Sequence, residues 1–194
     1  EALQVVWSEA LAIEKQVYSE LNDRGFISQP VFAELTLMMN LKIDAIQAGS
    51  IPPQLPIVKP LEVRFGNFLV KLLNNSSWGK QIQSKLIANN YEYLTFIAHA
   101  CSQVPLRLRS LVADSEIPGK VIEQCAYYYE KNQQEILKQI ETIVRESTDI
   151  TISFQTKILN KFTIVTQNDT VEKLAKEGVI SETVASKICQ NIDI

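Results

Sequence analysis

"LNDRGFISQPVFAEL", residues 21–35, and "LAKEGVISETVASKI", residues 174–188, share one pattern: Leu, three residues, Gly, an apolar residue, Ile, Ser and a Val a few places on. Each glycine follows a helix-patterned run. A glycine just past a helix end can adopt the left-handed conformation that lets the last carbonyls be capped, and the apolar residue after it, Phe26 or Val179, can fold back on the last turn. Ser28 and Ser181 then stand where the next helix is capped, with Pro30 in the first turn of one copy and Glu182 at the start of the other. The spacing therefore predicts two tight helix–Gly–helix corners, built on Gly25, Ile27, Ser28 and on Gly178, Ile180, Ser181, with each isoleucine plugging the angle. The sequence between the copies does not align, which excludes a solenoid of repeats.

Working outward, the same helical grammar fills most of the chain. Six glycines in 194 residues leave little of the turn punctuation that strands need. Leu3, Val6, Ala10, Ile13, Val17 and Leu21 step by three or four and define one apolar face, with Glu9, Glu14, Lys15 and Glu20 placed off it. A second helix follows the Gly25 corner. "GSIPPQLPIVKP", residues 49–60, carries four prolines in nine positions and predicts an extended connector. After it "LEVRFGNFLVKLLNN" and "WGKQIQSKLIANNYEYLTFIAHACSQV" are helix-patterned, the latter with a potential break at Asn89–Asn90, and Pro105 opens a separate short segment. Ser115 as cap and Pro118 in the first turn start the next helix.

That helix, of about seven turns, carries an apolar stripe of Val121, Cys125, Tyr128 or Tyr129, Ile136, Ile140, Ile143 and Val144, with Lys131, Lys138 and Arg145 on a solvated face. It ends near Ser147–Asp149. Phe154, Ile158, Phe162 and Val165 mark a further long helix, kinked or not near Asn168–Asp169; "DITISF" (149–154) has the β-branched content of a strand but no strand partner nearby. The expectation is an all-α multi-helix bundle. It comprises an N-terminal hairpin (1–48), the Pro-rich connector (49–60), central helices (61–114) and a long-helix half (115–194).

Composition narrows the function classes. A net charge of −3 and pI near 5.3, with nineteen basic residues and no dense basic run, argue against a nucleic-acid surface. Cys101, Cys125 and Cys189 are far apart and offer neither a disulfide framework nor a Cys-x-x-Cys metal pair. The single histidine, His99, lacks a nucleophile on its helix face, because Cys101 two residues on points elsewhere. Carboxylates are scattered, and no phosphate-cradling glycine loop is present. No catalytic set, metal site or cofactor site is expected, and residues 127–129, three tyrosines fanning over about 200° of a helix, suit core and contact positions. The Glu at residue 1 and the apolar final residues suggest a piece of a longer chain.

"EALQVVWSEALAIEKQVYSELNDRGFISQPVFAELTLMM" resembles the helix that follows the last membrane span in cation/proton antiporters of the Na⁺/H⁺ exchanger type. The far end, from "YYYEKNQQEILKQ" to "SETVASKICQNI", is similar to the long cytoplasmic helices of the same family. Gln155, Thr156 and Lys157 match a Thr/Gln/basic stretch at the middle of those helices, and Leu174, Gly178 and Ile180 match the corner before the last one. The resemblance implies a non-catalytic regulatory or dimerising module on the cytoplasmic side of the cell membrane, working with the membrane half of its own polypeptide. The alternative is a free-standing helical interaction or effector domain. Because antiporters of this type are dimers, the resemblance also implies a homodimer, with Tyr128, Ile136, Ile140 and Ile143 as contacts. The competing arrangement has residues 1–113 fold back and cover that stripe within one chain.

Overall fold

The computed structural model describes residues 2–53, 77–111 and 118–192. Among them are six α-helices and no strand: α1 (Ala2–Asp23), α2 (Gln29–Gln47), α3 (Ser77–Leu111), α4 (Gly119–Glu146), α5 (Thr148–Lys176) and α6 (Glu182–Ile192). The chain is an all-α multi-helix bundle. Residues 149–154 lie within α5, so the strand reading of that stretch gives way to helix, and α5 runs uninterrupted through Asn168–Asp169. Residues 54–76 and 112–117, which hold most of the Pro-rich connector, the "LEVRFGNFLVKLLNN" helix and the Ser115 cap, lie outside the described residues.

Both repeated corners are glycine-capped turns. Gly25 has φ +69° and Gly178 φ +72°, the left-handed region. At the first, Phe26 N–H donates to the Leu21 carbonyl (2.9 Å) and Gly25 N–H to that of Asn22 (2.8 Å); at the second, Val179 N–H reaches Leu174 (2.9 Å) and Gly178 N–H reaches Ala175 (3.0 Å). These are the paired bonds of a Schellman turn, which satisfy carbonyls the helix leaves open. A third such turn, without the Gly-apolar-Ile-Ser pattern, ends α2: Gly49 has φ +83° and Ser50 N–H bonds the Ala45 carbonyl at 2.9 Å. Ile27 is buried as the corner plug, whereas Ile180 is only half-buried.

The serines divide. Ser181 Oγ accepts from Val184 N–H at 3.4 Å, a long cap. Ser28 sits at the N-cap of α2 in extended backbone, but its hydroxyl makes no capping bond and is buried without a partner. Its own N–H is taken by the Glu92 carboxylate of α3, which is 7 % exposed. A carboxylate near a helix N-terminus suits the helix dipole, so Glu92 supports the start of α2 through the N–H of Ser28, although the first-turn cap expected from the Ser28 hydroxyl is not made. No atom lies within 4 Å of a Cβ built on Gly178, so a valine there would meet backbone strain and not a clash. Gly178→Val should therefore lower stability by about 1 kcal/mol; an unchanged melting temperature would remove the left-handed cap.

The core forms where α1, α3 and α4 meet, with α2 packed on α1 and α3. Val6, Trp7, Ala10, Leu11, Val17 and Tyr18 of α1 face Leu94, Ala100, Cys101, Val104 and Leu108 of α3 and Ile122, Cys125, Tyr129 and Ile136 of α4. Leu3, at the fraying start of α1, is 37 % exposed and lies outside that core. Trp7 meets Tyr128 edge-on, ring centroids 4.9 Å apart. α3 does not break at Asn89–Asn90 and continues through Pro105. A proline there removes one ladder bond, at a cost of about 3 kcal/mol, yet Val104 and Leu108 on either side are fully buried. Arg107 and Arg109 of the following turn pair with Glu20 of α1 and with Glu123 and Glu130 of α4. Tertiary packing on both sides holds the last turn in line.

Candidate functional site

Three features of the bundle go beyond packing. The first is a buried polar knot. Glu14, expected on the solvent side of α1, is 0 % exposed. Its carboxylate accepts from Tyr18 Oη (2.9 Å), from Tyr129 Oη of α4 (2.8 Å) and from Lys42 Nζ of α2 (2.6 Å). A buried carboxylate persists when its charge is matched and its lone pairs are filled, and here one cation and two hydroxyls do both. Burial, and then the Glu14 charge, push the Tyr18 and Tyr129 hydroxyls well above the ordinary phenol range. The same two causes push the Cys101 and Cys125 thiols up to about 12. Both thiols are protonated at pH 7 and are poor nucleophiles. The knot ties three helices together and presents no reactive atom to solvent.

The second feature is a cleft of about 530 Å³ between α1, α3 and α5. The Gly25 corner forms one end of it. There Phe26 and Phe162 of α5 lie with ring centroids 6.4 Å apart, and Lys161 Nζ of α5 donates to the Gly25 carbonyl. His99 lines the cleft with its ring in part exposed, although its neighbours in sequence are apolar. Burial, followed by the nearby Arg107 guanidinium, holds its imidazole below the usual range, so it is neutral at pH 7. Arg107 is held in turn: Nη2 donates to Glu20 Oε2 at 2.9 Å and Nη1 to Oε1 at 3.3 Å. That bond, chiefly, keeps the Glu20 carboxyl below the usual carboxylate range.

The third feature is the outer side of α5 and α6. Over its 29 residues α5 buries only Thr151, and its length of about 43 Å, at ~1.5 Å per residue, exceeds what the bundle covers. The inner side carries Phe154, edge-on to Tyr91 at 5.3 Å, and Ile158 and Val165 against the core. Gln155 Nε2 donates to Tyr91 Oη at 2.7 Å, whereas Thr156 and Lys157 point outward. On the outer side Ile152 and Leu159 are 54 % and 64 % exposed. Thr156, Thr163, Thr166 and Thr170 continue that outward side in steps of three and four without a charge. Thr163 and Thr170 turn their hydroxyls onto the carbonyls one turn back, at 2.9 and 2.7 Å, which leaves their methyls outward. Val179, Val184 and Ile188 extend the exposed apolar set across the Gly178 corner.

The residues expected to contact a second copy are placed differently. Ile136 is 3 % exposed in the core, and Tyr128, Ile140 and Ile143 are half-buried against it. Tyr128 Oη also donates to the Pro53 carbonyl at 3.3 Å. Within one chain α1 and α3 lie along the stripe of α4 and cover part of it. Lys131, Lys138 and Arg145 are exposed, as is Tyr127. Among the described residues no group of His, Cys, Asp and Glu could hold a metal ion, and no helix is long and apolar enough to cross a membrane. The chain matches no family model, and no curated protein is matched.

Proposed function

We propose that this chain is a non-catalytic regulatory and dimerisation module of a monovalent cation/proton antiporter, held on the cytoplasmic side beside the membrane half of the same polypeptide. The observation that carries the associating role is the outer side of α5. A long helix that buries one residue and exposes Ile152 and Leu159 along an uncharged side is built to be covered. The antiporter context rests on the likeness of both ends of the chain to the cytoplasmic helices of that family. The inert thiols and the internally satisfied Glu14 fit a module that works through helix packing.

Two copies would meet along α5, not α4. The 152–156–159–163–166–170 spacing alternates four and three, the repeat by which two helices keep one side in contact along their length. The antiporter context is tested by the coding sequence upstream of residue 1. A continuous reading frame through a series of apolar segments of about 20 residues each is expected. A start codon directly before Glu1 would overturn that context and favour a free-standing helical interaction domain.

A further inference from the structure

We propose that the cleft between α1, α3 and α5 is a binding site for a small amphipathic carboxylate, with its hydrocarbon body inside and its carboxylate at the mouth between Arg24 and Arg107. The proposal goes beyond the associating role of α5 and does not depend on it. The cleft, of about 530 Å³ and open to solvent on one side, falls within the range of roughly 300–1,000 Å³ typical of small-molecule sites.

Its walls are apolar: Val17 and Leu21 from α1, Phe26 from the corner, Phe96 from α3, and Ile158 and Phe162 from α5. Phe162 remains 59 % exposed beside the mouth, where an occupant would cover it. The charged groups among the lining residues are confined to Glu20, Arg24 and Arg107, two cations to one anion. Glu20 is already engaged, taking both Arg107 donors and the Gln16 amide at 2.8 Å. Arg24 has a looser partner: Asp169 is 3.7 Å away, with both side chains more than half exposed. An ion pair of that kind holds little energy, so the guanidinium can turn to a ligand.

The guanidinium N–H donors left uncommitted beside an apolar space select the head group. A carboxylate gains charge-assisted bonds from Arg24 and from the N–H groups that Arg107 does not spend on Glu20. A neutral hydroxyl loses that gain, and an ammonium has no lone pair with which to accept from the guanidinium groups. Neutral His99 adds a hydrogen-bonding group at the same rim. Such a ligand would touch α1, α3 and α5 at once and hold α5 against the bundle.

Calorimetric titration of the chain with decanoate, decan-1-ol and decylammonium, each below its micelle concentration, tests the proposal. Decanoate should bind one to one and at least about tenfold tighter than the other two, with an affinity that falls as salt is added. Arg24→Gln should weaken decanoate about tenfold and leave decanol unchanged; Phe162→Ala should weaken all three. Both side chains are more than half exposed, so circular dichroism should confirm an intact fold in each variant. Equal binding of the three head groups, indifference of decanoate to Arg24→Gln in the folded variant, or no decanoate heat at millimolar concentration would each overturn the site.

Discussion

Replacing Glu14 by Ala is expected to destabilise the fold by about 3–5 kcal/mol, among the largest effects of any single change, because it breaks a buried ion pair from one side only. The Lys42 ammonium, with its side chain 15 % exposed, would lose its carboxylate. Tyr18 and Tyr129 would lose the acceptor that both now share. An unpaired buried cation and two orphaned hydroxyls cost far more than the hydrogen bonds alone contribute. The double change Glu14→Leu with Lys42→Met should recover a large part of the loss, since apolar groups of similar volume need no partners. Urea denaturation of the three chains measures this. If the double variant were no more stable than Glu14→Ala, the knot would not be the cause.

Alkaline unfolding is the second large effect. In the unfolded chain the thiols ionise near 9.0 and the phenols near 10.0. In the folded chain Cys101 and Cys125 are pushed up to about 12, and burial raises Tyr18, Tyr129 and Tyr93 as well, helped by the Glu14 charge. Raised acids keep their protons when the unfolded chain has lost them. Their contribution is therefore fully present below pH 9 and is lost progressively above it, thiols first and then tyrosines. Each retained proton costs up to about 1.4 kcal/mol per pH unit, so five such groups should bring cooperative unfolding between about pH 10 and 11.5. A melting temperature flat from pH 8 to 11.5 would show that these groups are not buried as described.

The parts of the fold visible in the sequence are those fixed by neighbours along the chain. The Gly25 and Gly178 corners depend on a helix end, one left-handed residue and the apolar residue after it, all within six positions. Gly49 makes the same turn, but the prolines that follow drew the reading of that stretch towards an extended connector. Pro105 predicts a boundary locally, and α3 runs through it because Val104 and Leu108 are buried against helices the local sequence does not reveal. Glu14 was placed outward for the same reason. Periodicity assigns a lone charge to solvent, whereas two of its three partners lie 28 and 115 residues away.

The candidate site was less legible still. Arg107 and Glu20 meet because α3 packs on α1, and Phe162 joins them because α5 packs on α3. The apolar stripe of α4 was recognisable, but not what covers it. Ile152 and Leu159 give no clear apolar stripe in the sequence because Thr156, Thr163, Thr166 and Thr170 share their side of α5.

Sedimentation equilibrium at about ten to a hundred micromolar tests the associating role most directly, because a symmetric pair is the usual form of self-association. The account predicts a mass near twice 21.9 kDa. It also predicts that Ile152→Glu with Leu159→Glu restores a single mass of 21.9 kDa with helicity unchanged. Both replaced side chains are more than half exposed, so the bundle itself should tolerate them. A single mass of 21.9 kDa for the unaltered chain across that range, or a doubled mass that survives both glutamates, would contradict it.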